Sequence, residues 1–183
     1  RALNEQGLTF LDQSRNDEAR EIFASAVQLA RELGDQVLEA IAGGNLATTY
    51  RFSEERDEAR RLYATSLALF RKLGDRVLES KLLGDFATVC LSGGSVDEAE
   101  QLARKAVPLS REVGDLRSEG VNLGALGSIM LLTRRTDEAQ STLAEASRID
   151  ERAGNRQARN VAEFNLAEIH LGRGQLEVGP LTA

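Results

Sequence analysis

Between Asp17 and Gly34 the apolar side chains Ala19, Ile22, Phe23, Ala26, Ala30 and Leu33 stand at i, i+3, i+4 and i+7, with the polar Arg20, Glu21, Ser25, Gln28, Arg31 and Glu32 among the positions between them. That is the period of a helix with one buried face. The acidic pair Asp17 and Glu18 opens the segment, where negative charge meets the positive end of the helix dipole. Gly34 then predicts a left-handed stop, and Asp35 is placed to cap the next helix. The next helix is expected from Gln36 to Phe52, ending near the polar run SEER at 53–56. No Gly, Pro, Asn or Asp cluster separates alternating β-branched residues, so no strand or hairpin is expected. The pattern predicts an all-α chain.

The pattern then repeats. DEAR at Asp17 returns as DEAR at Asp57, DEAE at Asp97 and DEAQ at Asp137, each 40 residues on. LGD at Leu33 returns as LGD at Leu73, VGD at Val113 and AGN at Ala153, with no insertion. The chain therefore divides into units 1–40, 41–80, 81–120 and 121–160 and a partial unit 161–183, each full unit carrying two helices. Nine helices are expected, paired antiparallel, with turns near Gly34, Gly74, Gly114 and Gly154. Stacking the units aligns columns of residues. Gly7, Ala47, Ala87, Gly127 and Ala167 are followed three places later by Phe10, Tyr50, Cys90, Met130 and His170. On the second helix Ala19, Ala59, Ala99 and Ala139 precede Phe23, Tyr63, Ala103 and Leu143 by four. Small against large at fixed offsets is a packing code between helices.

These columns, shown in full by NLATTY at 45–50 and DEARRLY at 57–63, resemble the tetratricopeptide repeat, whose signature runs L-G-x-x-Y and then A-x-x-x-F. The likeness spans essentially the whole chain. The usual repeat is about 34 residues long, so the unit here implies longer helices, and the family's Trp on the first helix and Pro near the end of the second are absent. The 40-residue form with an LGD turn is similar to tandem arrays in bacterial signalling regulators and, slightly longer, in kinesin light chains. The resemblance implies a right-handed superhelix of antiparallel helix hairpins.

Composition narrows the function. Of 183 residues, 42% are hydrophobic and 28% charged, which suits a folded domain, and 23 basic against 29 acidic residues give a net charge of −6. Such a field repels phosphate backbones and anionic lipid, so neither nucleic acid nor membrane is an expected partner. Cys90 is the single cysteine and no run reaches the roughly 20 apolar residues of a membrane span, so a reducing, cytoplasmic location is expected. Lys72, Lys81 and Lys105 are the three lysines among those 23 basic residues, an arginine bias that points weakly to a GC-rich coding genome. The chain opens at Arg1 without a signal pattern and is read as a fragment of a longer protein.

Chemistry is hard to place in this chain. AIAGGNLATTY at 40–50 has the small residues of a phosphate loop, but neither a Walker string nor a dinucleotide fingerprint is present, and the segment falls inside a predicted helix. One histidine and one cysteine are too few for a catalytic constellation or a metal centre. Cys90 and His170 are read as core replacements in the column of Phe10, Tyr50 and Met130. No enzyme, cofactor or metal is expected.

What the resemblance implies is an inner groove lined by first helices. Asn45 and Asn165 share a column with Glu5, Asp85 and Ala125, and Thr48, Thr88 and Ser128 form a hydroxyl row one turn later. Gly44, Gly84 and Gly124 recur on the same helix, either for close helix approach or to widen the groove for a partner's backbone. Eukaryotic family members that clamp a C-terminal carboxylate carry Lys and Asn at several of these columns. Here Gly44, Gly84 and Thr48 replace most of that clamp, leaving Lys81 and Asn45, so the chaperone-tail function is not carried over. Arg51, Phe52 and Phe164 are candidate anchors, since arginine and aromatics carry much interface energy. The expected groove is thus Asn45, Thr48, Arg51, Phe52, Lys81, Asp85, Thr88, Ser128, Phe164 and Asn165, binding a peptide or helix of another protein. The alternative is a sensory or autoinhibitory repeat arm of a bacterial transcriptional or ATPase regulator, which an output domain elsewhere in the gene would favour. Val161, Leu166 and Ile169 on the last first-helix predict a partly uncovered apolar stripe and a possible homodimer, its partner helix being expected near Leu176 and stopped by Gly179 and Pro180.

Overall fold

The computed structural model describes residues 2–51 and 55–174. Nine helices and no strand occur among the described residues: α1 Ala2–Asp12, α2 Asn16–Leu33, α3 Gln36–Thr49, α4 Arg56–Leu73, α5 Arg76–Ser92, α6 Val96–Val113, α7 Leu116–Leu132, α8 Thr136–Ala153 and α9 Arg156–Gly172. Each even helix ends on a left-handed glycine, with φ of 67° at Gly34, 71° at Gly74, 70° at Gly114 and 67° at Gly154. The amide of the residue after each glycine reaches back five residues, as Asp35 N–H does to Ala30 O at 2.9 Å, closing the turn. That same residue caps the next helix. Asp35 Oδ1 accepts from Leu38 N–H, Asp75 Oδ1 from Leu78 N–H and Asp115 Oδ1 from Ser118 N–H, at 3.0, 3.0 and 3.1 Å. The LGD turn therefore holds as read. The end of α3 does not. It stops at Thr49 with Tyr50 as its C-cap, short of the expected Phe52, which lies outside the described residues together with the segment around Leu176 and Pro180.

Consecutive helices pack against one another, and the backbones of successive odd helices also approach across units, whereas the even helices meet across units only through long side chains, as in the ion pairs Arg60–Glu98 and Arg111–Glu145. The odd helices thus form an inner layer and the even helices an outer one, and the result is an α-solenoid. This explains their different patterns. α2, α4, α6 and α8 keep one polar face for water, as the sequence period requires. α3, α5 and α7 are enclosed on more sides and bury seven or eight residues each, including Gly43, Gly44 and Leu46 in α3 and Leu82, Leu83 and Gly84 in α5. The small-then-large columns supply much of the core. In the first-helix column, however, Cys90 and Met130 are buried while Phe10, Tyr50 and His170 are half-buried at its edge, so His170 is not the core replacement expected. Ala47, Ala87, Ala19, Ala59, Ala99, Ala139, Phe23, Tyr63, Ala103 and Leu143 are each at most 2% exposed. A methyl added at Gly7 would meet the Phe23 ring and one at Gly127 the Leu143 side chain, both within 3.0 Å, so these glycines make room for the next large residue.

Candidate functional site: the inner face

The inner layer gathers most of the predicted site. Asn45 and Thr48 lie on α3, Lys81, Asp85 and Thr88 on α5, Ser128 on α7, and Phe164 and Asn165 on α9; Arg51 follows α3. Most of their polar groups are already engaged. Thr48, Thr88 and Ser128 hydroxyls donate to the carbonyls of Gly44, Gly84 and Gly124 on their own helices, at 3.1, 3.1 and 2.9 Å. Since the Thr48 proton is used in this way, the 2.8 Å bond between Thr48 Oγ1 and Tyr63 OH takes its proton from the tyrosine. Tyr63 is fully buried and stacks on Phe86 at 4.6 Å, so burial pushes its phenol far above the ordinary value and it stays neutral. Asn45 Nδ2 donates to Asn4 Oδ1 at 2.8 Å and Asn165 Nδ2 to Ser128 Oγ at 3.0 Å, which ties α3 to α1 and α9 to α7. Arg51 Nε donates to Ser92 Oγ at 2.9 Å. Thr48, Ser128, Asn45 and Asn165 therefore stitch helices together, while Thr88 bonds only within its own helix.

Asp85 differs from the other members of its column. It stands in a cleft between α3 and α5 with Ile41, Asn45, Phe70, Leu78, Lys81 and Leu82 around it, and burial raises its carboxyl above the ordinary range despite the ammonium of Lys81.

The glycine column has two explanations. A methyl at Gly44 would fall within 3.0 Å of Leu82 Cδ1, and one at Gly84 within 3.0 Å of Asn122 Oδ1, so these two allow neighbouring first helices to approach. At Gly124 a methyl would meet nothing within 4 Å, so that position opens the inner surface instead. The odd helices also carry exposed apolar side chains that the sequence did not single out. Val37, Val77 and Val121 are 39%, 46% and 43% exposed, and Leu132 at the end of α7 is 60% exposed. The signal was available in the columns that place Val37 with Val77, and Ile41 with Val121 and Val161.

Cys90 is buried, and desolvation pushes its thiol up to about 12, so it is neither thiolate nor ligand at neutral pH. No cluster of metal-binding side chains occurs among the described residues, and none of their helices is long and apolar enough to cross a membrane.

A tetratricopeptide-repeat family model matches residues 1–72 and again 40–112, together more than half of the chain. The chain belongs to the tetratricopeptide repeat family. No curated protein matches its sequence. Among solved structures, a putative kinesin light chain from Podospora anserina with nearly identical TPR-like repeats is similar over 95% of this chain and 86% of its own, at 17% identity and a TM-score of 0.72. BtubC (BKLC) from P. vanneervenii is similar over 99% of this chain and 66% of its own, at 16% identity and a TM-score of 0.62. These likenesses concern the fold. Tetratricopeptide repeats mediate protein–protein interactions, and their scaffold is typically non-enzymatic.

Proposed function

We propose that this tetratricopeptide-repeat chain is a non-enzymatic interaction scaffold whose inner face binds a peptide or helix of another protein. The observation that carries the reading is that Val77, Val121 and Leu132 stay exposed on odd helices whose hydroxyl and amide groups are largely spent on the fold's own hydrogen bonds. An exposed apolar surface next to polar groups is what a partner's side chains would cover. Panning a phage-displayed peptide library against the domain, then titrating a selected peptide by calorimetry, tests this. Val121→Glu together with Leu132→Glu should weaken binding at least tenfold, since a charge must be desolvated in the contact. The melting temperature should hold, because both side chains are exposed. Peptides that bind equally well to this variant, and lose binding when outer-face residues such as Lys105 are changed, would place the function on the even helices and overturn the reading.

We further infer that two copies associate through α9. Val161, Phe164 and Leu171 are 54%, 64% and 62% exposed there, spaced at three and seven residues along one side of the helix. The stripe differs from the expected one: Ile169 is 4% exposed and Leu166 packs half-buried on the core, so neither is free for a partner.

A further inference from the structure

Asp85 is a carboxylate that no donor of the fold contacts, although the Lys81 ammonium lines the same cleft. It makes no hydrogen bond or ion pair among the described residues, although it is only partly open to solvent. The members of its column show why. Asn165 meets the preceding first helix by donating its amide N–H to the Ser128 hydroxyl, and Asn45 by donating to Asn4. A carboxylate at the same position cannot donate. The α3 groups nearby do not bond it: the Thr48 hydroxyl donates to Gly44 O and receives the Tyr63 proton, and Asn45 turns its amide to Asn4, giving it one of its two N–H groups. Lys81, one turn earlier on α5, keeps an exposed ammonium that makes no ion pair with Asp85 within 4.0 Å. Around the carboxylate, Ile41, Leu78 and Leu82 form apolar walls. The carboxylate is half-buried, with water and not a protein group as its donor, and a charge-assisted donor brought from outside would bond it more strongly than water does.

We propose that the cleft between α3 and α5 receives a basic side chain of the bound peptide, an arginine or lysine whose N–H groups hydrogen-bond Asp85 while its aliphatic stem lies on Ile41, Leu78 and Leu82. A guanidinium or ammonium on a hydrocarbon stem is the one common peptide group that matches both a single carboxylate and apolar walls. A metal ion would need more ligands than this one acid provides. The chain's net charge of −6 also favours encounter with a basic segment. The inference rests on the inner-face reading above, and it names the chemistry that reading leaves open.

The test uses two probes of equal size, butylguanidinium and neutral butylurea, titrated into 15N-labelled protein. Butylguanidinium should shift the amides of Ile41, Asn45 and residues 78–85 and bind about tenfold or more tightly than butylurea, the discrimination a charge-assisted hydrogen bond provides. Asp85→Asn should abolish that preference, and Lys81→Gln, which removes the competing cation, should strengthen it. The melting temperature of Asp85→Asn should equal or exceed that of the native chain, because the unpartnered charge is gone. Equal binding of both probes, no shift at the cleft, or a less stable Asp85→Asn protein would each overturn the proposal. If peptides selected on the inner face keep their affinity when their Arg and Lys are replaced by citrulline and norleucine, the groove reading stands and the assignment of Asp85 falls.

Discussion

At the residue scale, one column holds positions with opposite responses to the same change. Gly84→Ala places a methyl against the buried Asn122 amide and should cost about 1–3 kcal/mol, the usual range for overpacking. Gly124→Ala meets no atom and should stabilise by about 1 kcal/mol through helix propensity. Urea denaturation of the two variants checks this, and shifts of the same sign would show that the column has a single role. Asp150 supplies a second test. It is 1% exposed, its Oδ1 accepts from Asn155 at 3.2 Å, and its Oδ2 has no partner. Burial raises its carboxyl above the ordinary value, against the pull of Asn155 and Arg117. A raised folded-state value means that the protonated group favours the fold: its contribution is full below the ordinary carboxylate range and is lost as pH rises through the folded value. Asp150→Asn should therefore raise the melting temperature at pH 7, by several degrees for about 1–2 kcal/mol, and change little near pH 3. A gain that is the same at both pH values would show that the titration is not the cause.

At the element scale, the turns carry a charge pattern that the sequence reading overlooked. Arg31 bonds Glu39, Arg71 bonds Glu79 and Arg111 bonds Glu119, each at 2.7 Å across the turn from an even helix to the next odd one. At the fourth turn the charges are exchanged, and Arg159 bonds Glu151 at 3.1 Å. The pattern is visible in the columns 31, 71, 111, 151 and 39, 79, 119, 159, but nothing in one sequence says that the two columns meet. Burial differs as well. The Glu79 and Glu119 side chains are 5% and 9% exposed, whereas Glu151 is 64% exposed. Arg71→Ala or Arg111→Ala, which leaves a buried carboxylate less compensated, should cost about 1–3 kcal/mol, and Arg159→Ala less than about 1 kcal/mol. Thermal denaturation of the three single variants measures the contrast. Equal losses would mean that the ion pairs contribute through local turn geometry and not through burial.

At the scale of the whole molecule, the proposed function assigns the inner layer to a partner and α9 to a second copy. Light scattering across a concentration series should show a dimer that Phe164→Asp or Val161→Asp dissociates without loss of helicity. The same experiment with Ile169→Lys should instead lower the melting temperature, since that side chain is in the core. A species of constant mass in all variants would remove the α9 contact from the proposal.

The sequence by itself determined the all-α class, the 40-residue period, the left-handed glycines and the capping aspartates. These rest on backbone conformation and on hydrogen bonds between residues a few places apart, and the order of residues fixes both. It also determined the small and large columns of the core, because stacking equal units repeats the same contacts. Only the tertiary structure decided which polar residues are spent and which are open. Thr48 and Asn45 read as groove contacts in the sequence, yet they close on Tyr63 and Asn4, fifteen and forty-one residues away. Gly84 and Gly124 are the same letter in the same column, and the side chain opposite, Asn122 or empty space, separates them. Asp85 is one acid among 29, and it stands out because its neighbours in space, drawn from other helices, leave it without a donor. Burial and partnership are properties of pairs brought together by packing, and a repeat that fixes where each helix lies does not fix which side chains will satisfy one another across the space between them.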